Sequence, residues 1–226
     1  MTHHDHDTNR NSLQNIGEEL KHHVPFTLVG SLTGIIVACV FVYSQVSHDT
    51  SHILFKTFHP AHVFFSALAT AGMYRLHSKR TLLATFVVGY LGSVGIGTLS
   101  DCLIPYISEL LLGLHDKTVH AKAHIGFIES WYIVNPLALL GIAFACWKPS
   151  TKIPHTGHVL LSTWASLFHL LMSISGNGTV GVVTGLMIPV VLFLAVWIPC
   201  CTSDIVFPLL LARGKTSSAP VQSEQR

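Results

Sequence analysis

Two imidazole pairs in this chain carry the same surroundings. His59-Pro60-Ala61-His62-Val63-Phe64-Phe65-Ser66-Ala67-Leu68-Ala69 and His155-Thr156-Gly157-His158-Val159-Leu160-Leu161-Ser162-Thr163-Trp164-Ala165 both read HxxHVxxSxxA. On a helix, residues i and i+3 leave from one face, so both imidazoles of a pair can reach one ion. A carboxylate recurs too: Leu99-Ser100-Asp101-Cys102-Leu103-Ile104-Pro105 and Thr202-Ser203-Asp204-Ile205-Val206-Phe207-Pro208 share SDxxxP. His23 and His124 each open an apolar run. Three neutral imidazoles and one carboxylate suit Zn²⁺ first, with Fe²⁺, Mn²⁺, Co²⁺ or Ni²⁺ as alternatives. The expected ligands are His59, His62, Asp101 and His124 in one set, and His155, His158, Asp204 and His23 in the other.

Other polar residues have less certain company. Glu129 lies five residues past His124 and has no counterpart in the first half of the chain, so it reads as a further ligand, a proton carrier or a partner for a histidine. Cys200 and Cys201 precede Asp204 and could add a thiolate. His169, aligned with Met73, reads as a hydrogen-bonded core histidine. Asp101 and Asp204 have a plainer reading as caps of a helix broken at the following proline. His48, Asp49 and His52, and His115, Asp116 and His120, place more imidazole between the apolar runs, and Thr2-His3-His4-Asp5-His6-Asp7 resembles a metal-collecting tail.

The elements that must hold these residues are apolar. Of 226 residues, 50% are hydrophobic and only 11% charged, and mean hydropathy is +0.52. Soluble domains carry roughly 25% charge, so too few charges exist here to wet a globular surface. Spans are expected near 24–43, 59–76, 82–112, 124–147, 156–175 and 181–212, since about 20 apolar residues cross a bilayer. The third and sixth are long and contain Asp and Pro, so a kink or break is expected in each. The motifs recur in one order roughly 100 residues apart. Three spans per half then make an all-α integral membrane protein of six transmembrane helices, a 3+3 inverted repeat. Residues 1–22 form a His-rich cytoplasmic tail, 23–114 the first three-helix repeat, 115–123 an extracytoplasmic linker, 124–212 the second repeat, and 213–226 a disordered cytoplasmic tail.

Charge orients the chain. With both termini cytoplasmic, Arg10, Lys21, Arg75, Lys79, Arg80, Lys148, Lys152, Arg213, Lys215 and Arg226 lie inside, against Lys56, Lys117 and Lys122 outside. For so compact a chain the expected location is the cell's inner (plasma) membrane, as a multi-pass protein with lipid and metal ions as its partners. No basic stripe exists to bind nucleic acid. Gly89, Gly92, Gly95 and Gly97 suggest close helix approach, at the repeat interface or a homodimer contact.

The function these features favour is a transporter of divalent transition metals, with protons as a natural counter-ion because imidazole titrates near neutrality. The alternatives are an intramembrane zinc-dependent hydrolase, which lacks an HExxH base and a GxSxG nucleophile, and a haem-binding electron-transfer protein, which leaves the aspartates unexplained.

Overall fold

A computed structural model describes residues 21, 24–25, 28–30, 32–41, 43–78, 81–114, 124–149, 152–174 and 181–213; the side chains at 77, 152–156, 182–184, 201, 205 and 213 are outside that description. The described residues form helices joined by turns. They are α1 (Leu28–Phe41), α2 (His48–His77), α3 (Leu82–Leu111), α4 (Trp131–Trp147, entered through a short turn at Gly126–Glu129) and α5 (Lys152–Ile174). The last, α6, runs Val182–Cys201 and continues through Thr202–Val206 into Phe207–Arg213.

Helix α2 is the axis around which the others pack. Ser47 caps it, its hydroxyl accepting from Thr50 N–H. Its buried residues fall in two stripes at helical spacing. Ser51, Phe55, His59, His62, Ser66 and Thr70 form a polar, aromatic stripe; Val63, Ala67, Ala71 and Tyr74 form a small, apolar one. The apolar stripe meets α4, where a Cβ on Gly141 would run into the Phe64 carbonyl oxygen. Only a bare backbone fits there, which brings the helices close and gives dispersion contact in place of hydrophobic driving force. Helix α5 presents a matching polar stripe, His158, Ser162, Ser166 and His169, all buried.

The outside of the bundle reverses this pattern. Leu83, Val87 and Leu91 on α3, Trp131, Leu140 and Phe144 on α4, and Leu186, Leu194 and Ile198 on α6 are exposed. Apolar residues outward and ionisable ones inward is the distribution of a chain solvated by lipid. The protein is an all-α bundle that spans a membrane in part.

The expectation of six transmembrane helices in a 3+3 inverted repeat is corrected here. Among the described residues, three helices are long and apolar enough to cross: Leu82–Leu111, Gly157–Ile174 and Gly185–Ala212. One comes from the first half of the chain and two from the second, so the halves do not match. The missing spans fail for different reasons. Helix α2 has 30 residues, but its first half carries His48, Asp49, His52 and Lys56, and its largest buried apolar residues, Phe55 and Tyr74, face other helices. Helix α4 has 17 residues, about 26 Å at 1.5 Å each, short of roughly 30 Å of hydrocarbon. Leu28–Phe41, as far as the described residues go, is shorter still.

The expected breaks in the long helices are π-helical turns, at Leu91–Ile96 and Leu99–Leu103 in α3 and Thr202–Val206 in α6. The SDxxxP spacing explains two of them. Pro105 has no N–H to bond the Asp101 carbonyl four residues back, and Pro208 has none for Asp204. The local bonding widens by one residue instead: Ile104 N–H bonds Leu99 O, five residues back. Each aspartate therefore sits in a widened turn of a continuous helix.

Candidate metal centre

Asp101 is fully buried, and its two oxygens are used differently. Oδ2 lies 2.9 Å from His59 Nδ1 and 2.6 Å from His62 Nδ1. An ionised carboxylate only accepts, so both Nδ1 atoms carry the ring proton and both lone pairs fall on Nε2. Oδ1 accepts from Ser100 Oγ at 2.7 Å and from Ser162 Oγ at 2.8 Å. Four hydrogen bonds to one carboxylate, each worth roughly 1.5–3 kcal/mol for a charged acceptor, hold the acid in place against the cost of burial.

His62 links this group to a second. Its Nε2 lies 4.0 Å from Cys200 Sγ, and its ring stacks on His158 with centroids 5.7 Å apart. His158 Nε2 lies 3.0 Å from Asp204 Oδ2. Asp204 Oδ1 accepts from Thr70 Oγ1 at 3.0 Å and Ser66 Oγ at 3.3 Å. The serine one turn beyond each HxxH thus serves the aspartate of the other motif copy, Ser66 on Asp204 and Ser162 on Asp101. A carboxylate behind an imidazole fixes the ring and raises its basicity, the arrangement that orients histidine ligands. Two buried groups, His59–His62–Asp101 and His62–His158–Cys200, each bring three ligand atoms within 4.8 Å of one another. Such clusters can coordinate a divalent metal ion, and the thiol favours a softer one such as Zn²⁺ over Mg²⁺ or Ca²⁺.

The placement differs from the two separated sites that the motifs suggest. His59 and His62 were expected at the outer end of a span, but α2 begins at His48, so His59 lies roughly three turns inside the helix. Helix α5 begins at Lys152, which carries His158 inward as well. The two motif copies meet and form one composite centre. His124 is not with Asp101. Its Nδ1 lies 3.2 and 3.1 Å from the two Glu129 oxygens, and its ring is 5.0 Å from that of His52. His52, His124 and Glu129 form a third, half-exposed group. The His52 imidazole is held below its usual pKa by burial first, with Lys56 and His124 adding to the effect and Glu129 opposing it. His23 and the side chain of His155 lie outside the described residues.

Two residues deserved more weight in the sequence. Glu109 is buried on α3, with Oε1 2.9 Å from His169 Nδ1. The signal for it was present: an acid two turns past Asp101, inside an expected span, is a functional residue by default. Cys200 closes the composite centre, and its proximity to Asp204 in the chain was the clue. Gly126 shapes the site from outside, since a Cβ there would collide with the His59 ring.

No protein-family model matches this chain, and neither does any curated protein or solved structure, so the site is read from its own geometry.

Proposed function

We propose that this chain is an integral-membrane transporter of a divalent transition metal, with His59, His62, Asp101, His158, Cys200 and Asp204 forming its buried binding centre. One observation carries the reading: two three-ligand groups share His62 in the interior of a bundle whose exterior is apolar. Buried ionisable residues in such a bundle mark ion pathways more often than packing. Zn²⁺ is the favoured ion, with Fe²⁺, Mn²⁺, Co²⁺ and Ni²⁺ as alternatives. His155 and His23 remain candidate ligands on the strength of their spacing.

The helix directions support an orientation. Gly126 lies against His59, and Gly141 against Phe64 and Leu68, so α4 runs alongside α2 in the same direction. Arg75, Lys148 and Arg213 therefore gather at one end of the bundle, which we place in the cytoplasm of a plasma-membrane protein. The hydrolase alternative is less favoured. The centre's ligands are almost wholly buried, His62 at 1% and His158 at 0% exposure, which suits a bare ion better than an organic substrate. Haem is less favoured still, because His59 is covered by Gly126 and His62 by His158.

The test compares wild type with His62→Ala by elemental analysis and by Zn²⁺ flux into liposomes. Wild type should hold one more tightly bound ion per chain than the variant, and the variant should lose flux at least tenfold. Equal metal content in both would sink the proposal, because His62 belongs to both groups.

A further inference from the structure

We infer that His52, His124 and Glu129 form a second metal site at the mouth of the bundle, separate from the buried centre and serving to load it. The loading role rests on the transporter reading; the site itself does not.

The three ligands come from two segments that the fold brings together. His52 belongs to α2, and His124 and Glu129 flank the turn that leads into α4. His124 Nδ1 lies 3.1 Å from Glu129 Oε2, so the two can hold one ion when the ring proton is on Nε2 and the lone pair on Nδ1. His52 Nε2 lies 3.9 Å from Glu129 Oε2. That spacing is too long for a hydrogen bond and is of the order expected when two ligands flank one ion at about 2.0–2.2 Å from each. One helical turn before His52, His48 stands on the same face, its ring 6.1 Å from that of His52 and 6.4 Å from that of His124. It is placed to supply a fourth ligand. Side-chain exposures of 25% for His52, 22% for His124 and 31% for Glu129 leave the group open to solvent. The buried centre has no such opening at its own ligands.

A line of side chains leads inward from this group. The His124 ring is 6.1 Å from that of His169, which is 1% exposed and hydrogen-bonded through Nδ1 to the buried Glu109. Among the described residues His169 Nε2 has no hydrogen-bond partner, although a buried imidazole nitrogen ordinarily finds one. Phe55 packs its ring between His169 and His59, 5.4 Å from the first and 5.3 Å from the second. The order from solvent to interior is thus His124, His169 with Glu109, Phe55, then His59 beside His62. A cation released at the mouth finds an imidazole with an open lone pair and a carboxylate before it reaches the buried centre. Phe55 is the one apolar step in that order.

The experiment uses the full chain in detergent and Co²⁺ as the probe, read by its visible absorption and by calorimetry. Wild type should bind one ion that is stripped by a fast chelator and a second that is stripped slowly. His52→Gln and Glu129→Gln should each weaken the fast ion at least tenfold and leave the slow one in place. His62→Ala should do the reverse. The N-terminal histidines are present in every variant, so they cancel in the comparison. If His52→Gln and Glu129→Gln titrate as wild type does, the inference is overturned; it is overturned equally if His62→Ala removes both ions together. Retention of the slow ion in His62→Ala, with loss of the fast ion in the mouth variants, would end the buried-centre reading and leave this site standing. Thermal unfolding of each variant separates lost ligands from a lost fold.

Discussion

At the scale of single residues, the centre depends on contacts that admit little change. Gly126 lies on the His59 ring, so Gly126→Ala must push one of them aside. Overpacking of this kind costs about 1–3 kcal/mol, and denaturant unfolding in detergent should register that loss together with weaker metal binding. Ser162→Ala tests the other side of the same acid. It removes one of the two hydroxyls on Asp101 Oδ1 and leaves Ser100 in place. Changes to groups that orient ligands typically lower metal affinity about 10–100-fold, so a drop in that range is expected by calorimetry. Ser66→Ala should do the same through Asp204.

At the scale of the helix, the π turns are the means by which sequence sets aim. Restoring an N–H with Pro105→Ala should let α3 revert to regular α-helix at Asp101. One residue of register rotates a side chain by about 100°, which takes the carboxylate away from His59 and His62. Helix content by circular dichroism should stay constant while the buried ion is lost. This is also where the sequence was most and least informative. HxxH and SDxxxP single out His59, His62, Asp101, His158 and Asp204, all of them buried and linked in a chain by His59 and His62 on Asp101, His62 on His158, and His158 on Asp204. Their depth is not legible in the sequence, because hydropathy places helix ends where polar residues cluster. Helix α2 instead continues outward through His48, Asp49, His52 and Lys56. Pairings across helices are not written in any local pattern. Spacing within a segment cannot reveal that Ser66 serves Asp204, that Glu109 finds His169, or that His52 joins His124.

At the scale of the whole molecule, the bundle is solvated by lipid where it is apolar and by itself where it is polar. Leu194→Lys puts a charge on the exposed face of α6, inside Gly185–Ala212. A lysine at the centre of a membrane helix costs about 2.5–3.5 kcal/mol, so the yield of folded, membrane-inserted protein should fall sharply. Ile53 is more exposed still but lies on α2 outside the candidate spans, and Ile53→Lys should be tolerated. If both variants insert alike, the lipid-facing assignment of α6 fails. The position of His62 at the middle of this structure has a further consequence. Its Nδ1 belongs to one ligand group and its Nε2 to the other, and a neutral imidazole offers only one lone pair at a time. An ion on the Cys200 side requires the proton on Nδ1; an ion on the Asp101 side requires it on Nε2. If a metal passes His62 in the transport proposed above, a proton must change sides of the ring in the opposite sense, an exchange set by tautomerism.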